Sequence, residues 1–350
     1  MAYLIPHSAA RYPRPVADSL DAPIGPPPAP WRPSPAAKAL LESGCGIVDR
    51  SHRGRLTLAG PDAAALLQGQ LSNDVEALSP GQGLEAGLLT PKGKLLGIVR
   101  VLATGEDTFH LDTDRVSLQS LFDAIRRAGV GHDAELGKAT VETAQVSLIG
   151  PRSDAVVGGS DIPSLHDSRS ALLGGARVRV VRTVEGFDVL APEGAREGVL
   201  TALIAAGAEE GDEAAAECLR VEAGIPRFGI DLDDSVIPQE ADLNQRLVSF
   251  TKGCYVGQET VARLFYRGSP NRVLRGLLLD AEVPPGTPLL EGNREVGRVG
   301  SVAAPPGDAV LGLALVRIDS APGTILDAGG VEADVVELPF TLPDSPGGAA

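Results

Sequence analysis

The sequence predicts an α+β protein that ends in a small β-barrel. At 350 residues the chain is long enough for about two domains, on a scale of roughly 100–200 residues each. Between residues 36 and 270, helical periodicity and two-residue alternation succeed one another. From Val273 onward the pattern changes to short apolar runs separated by Pro284-Pro285-Gly286, Gly292-Asn293 and Pro305-Pro306-Gly307. Such closely spaced turn signals suggest an all-β unit over 271–342.

The elements follow in order. Ten of the 28 prolines fall in residues 1–35, where fixed φ and missing amide donors predict a disordered tail. Residues 343–350 are expected to be equally loose. A short helix is predicted near Ala36–Glu42, then a strand on Arg55-Leu56-Thr57-Leu58-Ala59. Gly60-Pro61-Asp62 starts a helix through Leu67, proline being tolerated in a first turn. Gly87 to Leu102 predicts a hairpin turning at Thr90-Pro91-Lys92-Gly93. Ser117 to Ala128 predicts an amphipathic helix with Leu118, Leu121, Phe122 and Ile125 on one face. Strands are expected at 145–149, 177–181 and 187–190, and helices at 197–206, 213–223 and 258–265. The run from Ala205 to Gln245 sets eleven acids against Arg220 and Arg227 and is expected to form solvated surface and loop.

With 43% apolar residues the chain has material for sizeable cores. Its longest uncharged stretch in the globular part, Gly198 to Ala208, is well short of the roughly 18–20 residues of a membrane span. Pro6, His7, Arg11, Pro13 and Pro15 interrupt any leader after Met1, so a cytoplasmic protein is expected. A net charge of −15 argues against coating nucleic acid or an anionic membrane. One cationic island stands out. Lys252, Arg263, Arg267, Arg272 and Arg275 face a single acid, Glu259, in 252–275, which suggests a pocket for a small anion. Cys45, Cys218 and Cys254 are widely spaced, with no CxxC and no paired-histidine metal spacing, so no metal site is expected.

Two generic nucleotide motifs fail. Gly129-Val130-Gly131-His132-Asp133-Ala134 follows a helix instead of a strand and reads as a helix end. Gly87 to Lys94 has the wrong glycine spacing, and Leu95 replaces the magnesium-binding hydroxyl of a phosphate loop. The informative stretch is Lys252-Gly253-Cys254-Tyr255-Val256-Gly257-Gln258-Glu259. It places Cys254 just before a helix N-terminus with Lys252 two residues away, a setting that favours a reactive thiolate. The competing reading is a small buried filler, as free cysteine often is.

That octapeptide, followed by Val261-Ala262-Arg263 and Arg267-Gly268, resembles the signature of the YgfZ family. These are folate-binding proteins of iron–sulfur cluster assembly and repair, related to the aminomethyltransferase (T-protein) of the glycine cleavage system. Gly60-Pro61-Asp62-Ala63, Gln70-Leu71-Ser72-Asn73-Asp74-Val75, Lys92-Gly93-Lys94, Arg220 to Pro226, Gly229-Ile230-Asp231 and Pro238-Gln239-Glu240 extend the likeness over about 37–320. The resemblance implies a three-lobed T-protein-like body over 36–270, built of two interleaved α+β lobes, around a cavity for tetrahydrofolate and closed by the barrel. It implies Glu222 as the pterin-gripping carboxylate and Lys252 as a basic folate contact. Tyr255 would offer a flat face, Asn73 and Asp74 a cavity-facing loop, and Cys254 the reactive thiol. Gly253, Gly257, Gln258, Glu259 and Arg263 complete the motif.

One departure bears on activity. Where T-proteins carry paired aspartates, this chain has Gly97 and Ile98, and neither can hold or orient a proton. The expected function is therefore tetrahydrofolate binding in support of iron–sulfur client enzymes, including tRNA-methylthiolating ones. A folate-dependent aminomethyl or one-carbon transferase is the alternative.

Overall fold

The computed structural model describes residues 30–307 and 309–340. The tail expectations for 1–29 and 343–350 lie outside the described residues. At its inner end the predicted tail is too long by several residues. Trp31 N donates to Val302 O at 2.9 Å, Ala304 N donates to Trp31 O at 2.8 Å, and Pro35 already opens a helix.

Helix α1 (Pro35–Ser43) starts where the Ser34 side chain accepts from Ala37 N, and its proline sits in the first turn. Strand β1 (Gly46–Asp49) enters one sheet, but β2 (Gly54–Ala59) crosses to another. There it is followed by α2 (Ala63–Gln70), β3 (Gly83–Leu89), β4 (Leu95–Gly105), β5 (Thr108–Thr113), α3 (Leu118–Ala128) and β6 (Glu135–Lys138). The resulting five-stranded sheet runs β3-β4-β5-β2-β6. The chain then returns to the first sheet with β7 (Thr143–Ile149), α4 (Ser153–Val157), β8 (Ser168–Leu173), β9 (Ala176–Arg182), β10 (Gly186–Pro192), α5 (Arg196–Ala205) and β11 (Glu209–Glu210). Its order is β11-β1-β7-β10-β9-β8, so the chain leaves this sheet after β1 and returns to it at β7.

Helices α6 (Glu213–Glu222), α7 (Asn244–Leu247) and α8 (Gln258–Arg267) lead to β12 (Arg272–Leu279), β13 (Pro288–Glu291), β14 (Arg294–Ala303), β15 (Val310–Arg317), β16 (Ile325–Asp327) and β17 (Glu332–Val336). These six strands close into a barrel. Each lobe has its own apolar core, and a further core joins the five-stranded lobe to α6 and the barrel. The shared core brings Leu95 and Ile98 of β4, Cys218 and Val221 of α6, Tyr255, and Leu311 and Leu313 of β15 together. The predicted face of α3 is confirmed: Leu118, Leu121 and Ile125 are buried and Phe122 is half-buried.

The acidic run departs from its expectation. Glu217, Asp231 and Glu240 are buried instead of solvated, because Arg220 of the same run meets the first two and Arg272 the third. A buried carboxylate persists where an ion pair and hydrogen bonds replace its water.

Candidate ligand cavity

A cavity of about 210 Å³, open to solvent, lies between the two sheets and the end of α6. Its polar wall grows from polar and charged residues of four strands. In β4 and β5 these are Arg100 and Asp112, direct cross-strand partners; in β7 and β10 they are Ser147 and Asp188, likewise paired in register. Arg100 bonds Asp112 on its own sheet and Asp188 on the other, both at 2.6 Å, so one guanidinium joins the two lobes. Ser147 Oγ donates to Asp188 at 2.5 Å and Gln145 Nε2 at 3.1 Å. Asp112 also accepts from Arg53 at 2.7 Å. Burial alone would raise the Asp112 carboxyl, but Arg53 and Arg100 hold it well below the usual carboxylate range.

Helix α6 supplies the third wall. Glu217 accepts from Arg220 at 3.0 Å and lies 3.2 Å from Arg227. Arg220 also reaches Asp231 at 3.2 Å and Ser301 of the barrel at 2.6 Å. At the opposite rim, Glu85 of β3 pairs with Arg246, and His166 Nε2 lies 3.6 Å from it. Six arginines in all line the hollow: Arg50, Arg53, Arg100, Arg220, Arg227 and Arg246. Some lining groups lack partners among the described residues, Arg100 Nε among them. The half-buried Glu185 carboxyl makes no hydrogen bond or ion pair, and His166 Nδ1 is buried with no hydrogen-bond partner.

Of the residues singled out from the sequence, Ile98, Arg220, Ile225 and Pro226 line this cavity, while Glu222, Lys252, Cys254, Tyr255, Asn73 and Asp74 do not. Glu222 stands apart from it. On an α-helix five residues turn the side chain by about 140°, so with Glu217 facing the cavity Glu222 faces away from it. It lies 3.1 Å from Lys38 of α1, and its carbonyl accepts from Phe340 N.

Lys252 is also elsewhere, for a different reason. Its ammonium donates to the carbonyls of Gln68, Leu71 and Asn73 at 2.7, 2.7 and 2.8 Å, satisfying the C-terminal end of α2. Burial lowers its pKa to about 8, against the pull of Asp74 and Glu76. Around it, Ser249 N donates to Ser72 O, Val256 N to Gly69 O, and Ser72 Oγ to Leu247 O at 2.6 Å. Two of the motifs that carried the family resemblance, 70–75 and 252–259, are therefore the two halves of one joint.

Tyr255 is buried in the shared core, its ring centroid 5.2 Å from Lys252 Nζ, and burial pushes its hydroxyl up to about 12. Asn73 donates to the carbonyls of Glu85 and Arg246, whose side chains do line the cavity, so it acts as a positioning residue. Asp74 accepts from Gln68 Nε2 at 2.8 Å.

Gly257 adopts φ 87°, and a Cβ there would stand 2.6 Å from Thr90 O and 3.1 Å from the Cα of Gly93. The hairpin turn and the start of α8 touch backbone to backbone. Gln258 is half-buried, while Gly253, Cys254, Glu259 and Arg263 are exposed. The remaining thiols, Cys45 and Cys218, are buried, with pKa values raised by burial to about 11 and 12.

The predicted cationic island is dispersed. Arg272 is pinned to Glu240 at 3.0 Å and Arg275 to Glu337 at 2.9 Å. A second hollow of about 550 Å³, between the barrel and the β3–β4 turn, includes Arg272. The six arginines of the central cavity come from four stretches, 50–53, 100, 220–227 and 246, and clustering along the sequence cannot reveal them. The usable signal was the charged residue that interrupts an apolar strand, Arg100 in β4 and Asp188 in β10.

The fold and its cavity define an interleaved two-sheet body closed by a β-barrel, with an arginine-rich hollow between the lobes. Residues 35–252 match the GCVT N-terminal domain and residues 254–343 the CAF17 C-terminal beta-barrel domain, and the chain belongs to the GCVT N-terminal domain family. It is 30% identical to an aminomethyltransferase of Moorella thermoacetica, over 84% of this chain and 86% of that protein. An aminomethyltransferase of Streptomyces avermitilis is also 30% identical, over 86% and 87%. The glycine cleavage system aminomethyltransferase T of Bartonella henselae superposes with a TM-score of 0.77 at 21% identity, covering 87% of this chain and 89% of that one, a likeness of fold. Among the described residues no helix is long and apolar enough to cross a membrane, and no group of three or more His, Cys, Asp or Glu side chains is placed to hold a metal ion.

Proposed function

We infer that the chain is a cytoplasmic tetrahydrofolate-binding protein that supports assembly or repair of iron–sulfur clusters in client enzymes, including tRNA-methylthiolating ones. The observation that carries this reading is the polar cavity with its unpartnered Glu185 carboxyl, in a chain of the GCVT N-terminal domain family. The hollow is smaller than the roughly 300–1,000 Å³ that encloses a whole drug-sized ligand, so it suits one end of folate, the bicyclic pterin. Arginines at the rim would meet the glutamate carboxylates of its tail, which a guanidinium binds with two parallel donors.

Ile98 lines the cavity where T-proteins would present an aspartate, and Gly97 packs on Ser117. The sec-butyl side chain of Ile98 cannot position a proton at a reacting folate nitrogen, which weighs against transferase chemistry. Cys254, exposed at the end of the sewn-down loop, is the thiol available to a client protein or a cluster. Calorimetry with tetrahydrofolate tests the first half of the reading, and absence of binding would falsify it. Cys254→Ala should impair client maturation while the thermal transition stays unchanged; full client activity in that variant removes the thiol from the function.

The transferase alternative rests on the names of the full-length relatives. It predicts folate-dependent amine release or formaldehyde transfer, where the first reading predicts no turnover.

A further inference from the structure

The second hollow, about 550 Å³ between the barrel and the β3–β4 turn, is large enough for a small organic molecule and shares no lining residue with the central cavity. Three cations line it: Lys94 at the end of the turn, Arg272 of β12 and Arg317 of β15. Arg272 and Arg317 stand directly opposite each other in the barrel register, and like charges so placed are destabilising unless something answers them. Glu240 answers only the first, accepting from Arg272 Nε and Nη2 at 3.0 and 3.1 Å. Among the described residues Arg317 is held through Nε alone, to Asp319 at 3.2 Å, which leaves both of its terminal nitrogens for a ligand. The Lys94 ammonium makes no hydrogen bond or ion pair among the described residues. Its backbone is nevertheless fixed: Lys94 N donates to Thr90 Oγ1 at 3.1 Å, Thr90 N to Lys94 O at 2.8 Å, and Leu95 N to Val236 O at 2.8 Å. The remaining carboxylate of the lining, Glu295, is engaged by Arg298 at 2.8 Å.

We propose that this hollow is a second ligand site, independent of the folate reading, and that it takes a small organic phosphate monoester. Such a group carries close to two negative charges and three acceptor oxygens at neutral pH, so it uses both free cations at once. A carboxylate offers one charge and two oxygens. The Arg317 fork matches two phosphate oxygens, and Lys94 supplies a point charge beside them. Arg272 is already saturated by Glu240 and Ser235 and serves as a fixed wall. Asn271 adds an amide to that wall, while Ile237 and Val296 suit a small apolar body, for which a bare phosphate would leave the space unfilled. The lining spans the β3–β4 turn, the 235–240 segment and three barrel strands, so the bound molecule ties the barrel to the body.

The test is calorimetric titration of the full chain, at constant ionic strength, with phenyl phosphate, inorganic phosphate and benzoate. Phenyl phosphate is expected to bind at least about tenfold more tightly than either of the others. Lys94→Gln and Arg317→Gln should each weaken its binding about tenfold or more. A measurement on the wild-type chain serves where a variant does not fold. Acetylation of Lys94, followed by mass spectrometry, should slow about fivefold under saturating phenyl phosphate, while that of the exposed Lys92 in the same turn stays unchanged. No heat from phenyl phosphate up to about 10 mM overturns the site, as does undiminished binding by both folded variants. Equal protection of the two lysines does the same. Benzoate or inorganic phosphate binding as tightly as phenyl phosphate overturns the ligand class.

Discussion

Replacing Lys252 by methionine keeps much of the side chain's bulk and removes the donor shared by three main-chain carbonyls. Buried acceptors left alone are costly, so Lys252→Met should lower stability by about 2–4 kcal/mol in urea unfolding. It should also free the loop that carries Cys254, read as faster thiol labelling in native buffer. Wild-type stability in the variant would mean that water replaces the ammonium. Glu185 makes a second prediction, with a definite sign. Its folded pKa of about 7 lies above the ordinary 4.5, so the native chain holds a proton that the unfolded chain has lost between those values. The stability this contributes is complete below 4.5 and is lost as pH rises toward 7. Glu185→Gln mimics the protonated form and should melt roughly 1–2 °C above wild type at alkaline pH, with the gap closing in acid. A gap of the opposite sign would show that the ionised carboxyl is better solvated than its position suggests.

At the scale of elements, the approach of α8 to the β3–β4 turn depends on Gly257. Its φ of 87° and the carbonyl 2.6 Å from a prospective Cβ leave no room for alanine. Gly257→Ala should cost about 1–3 kcal/mol. Gly253→Ala, four residues earlier in open space, should stay within about 0.5 kcal/mol. Equal effects in the two variants would remove close packing as the reason for the motif's second glycine. Most elements were legible in advance, because alternation and helical periodicity follow from which face is buried: α3, the hairpin around Thr90–Lys94 and the barrel segment all match. The site was not. Alternation assigns a lone polar residue such as Arg100 or Asp188 to the solvent side of a sheet, and only the second lobe, stacked on that side, turns it into a cavity wall. Family likeness locates Glu222 on a helix without fixing the face that it presents. Within the 252–259 motif, Lys252 and Tyr255 serve the joint between segments.

For the whole molecule, the hinge point is the contact of α6 with the barrel. Asp231 holds Ser301 through its backbone and hydroxyl, at 2.7 and 3.0 Å, and also accepts from Arg220. Asp231→Ala would leave Arg220 with less compensation in a buried setting and should cost about 3–5 kcal/mol. Differential scanning calorimetry should then show the barrel transition separating from that of the body; one unsplit, unshifted transition would place the coupling elsewhere. The strand-like pairing of Trp31 with β14 joins residues about 270 positions apart. During synthesis, the opening segment has no edge to pair with until residue 304 has left the ribosome. Its docking is therefore among the last steps of maturation, and cleavage by a protease near Trp31 would report on whether the far end of the chain has folded.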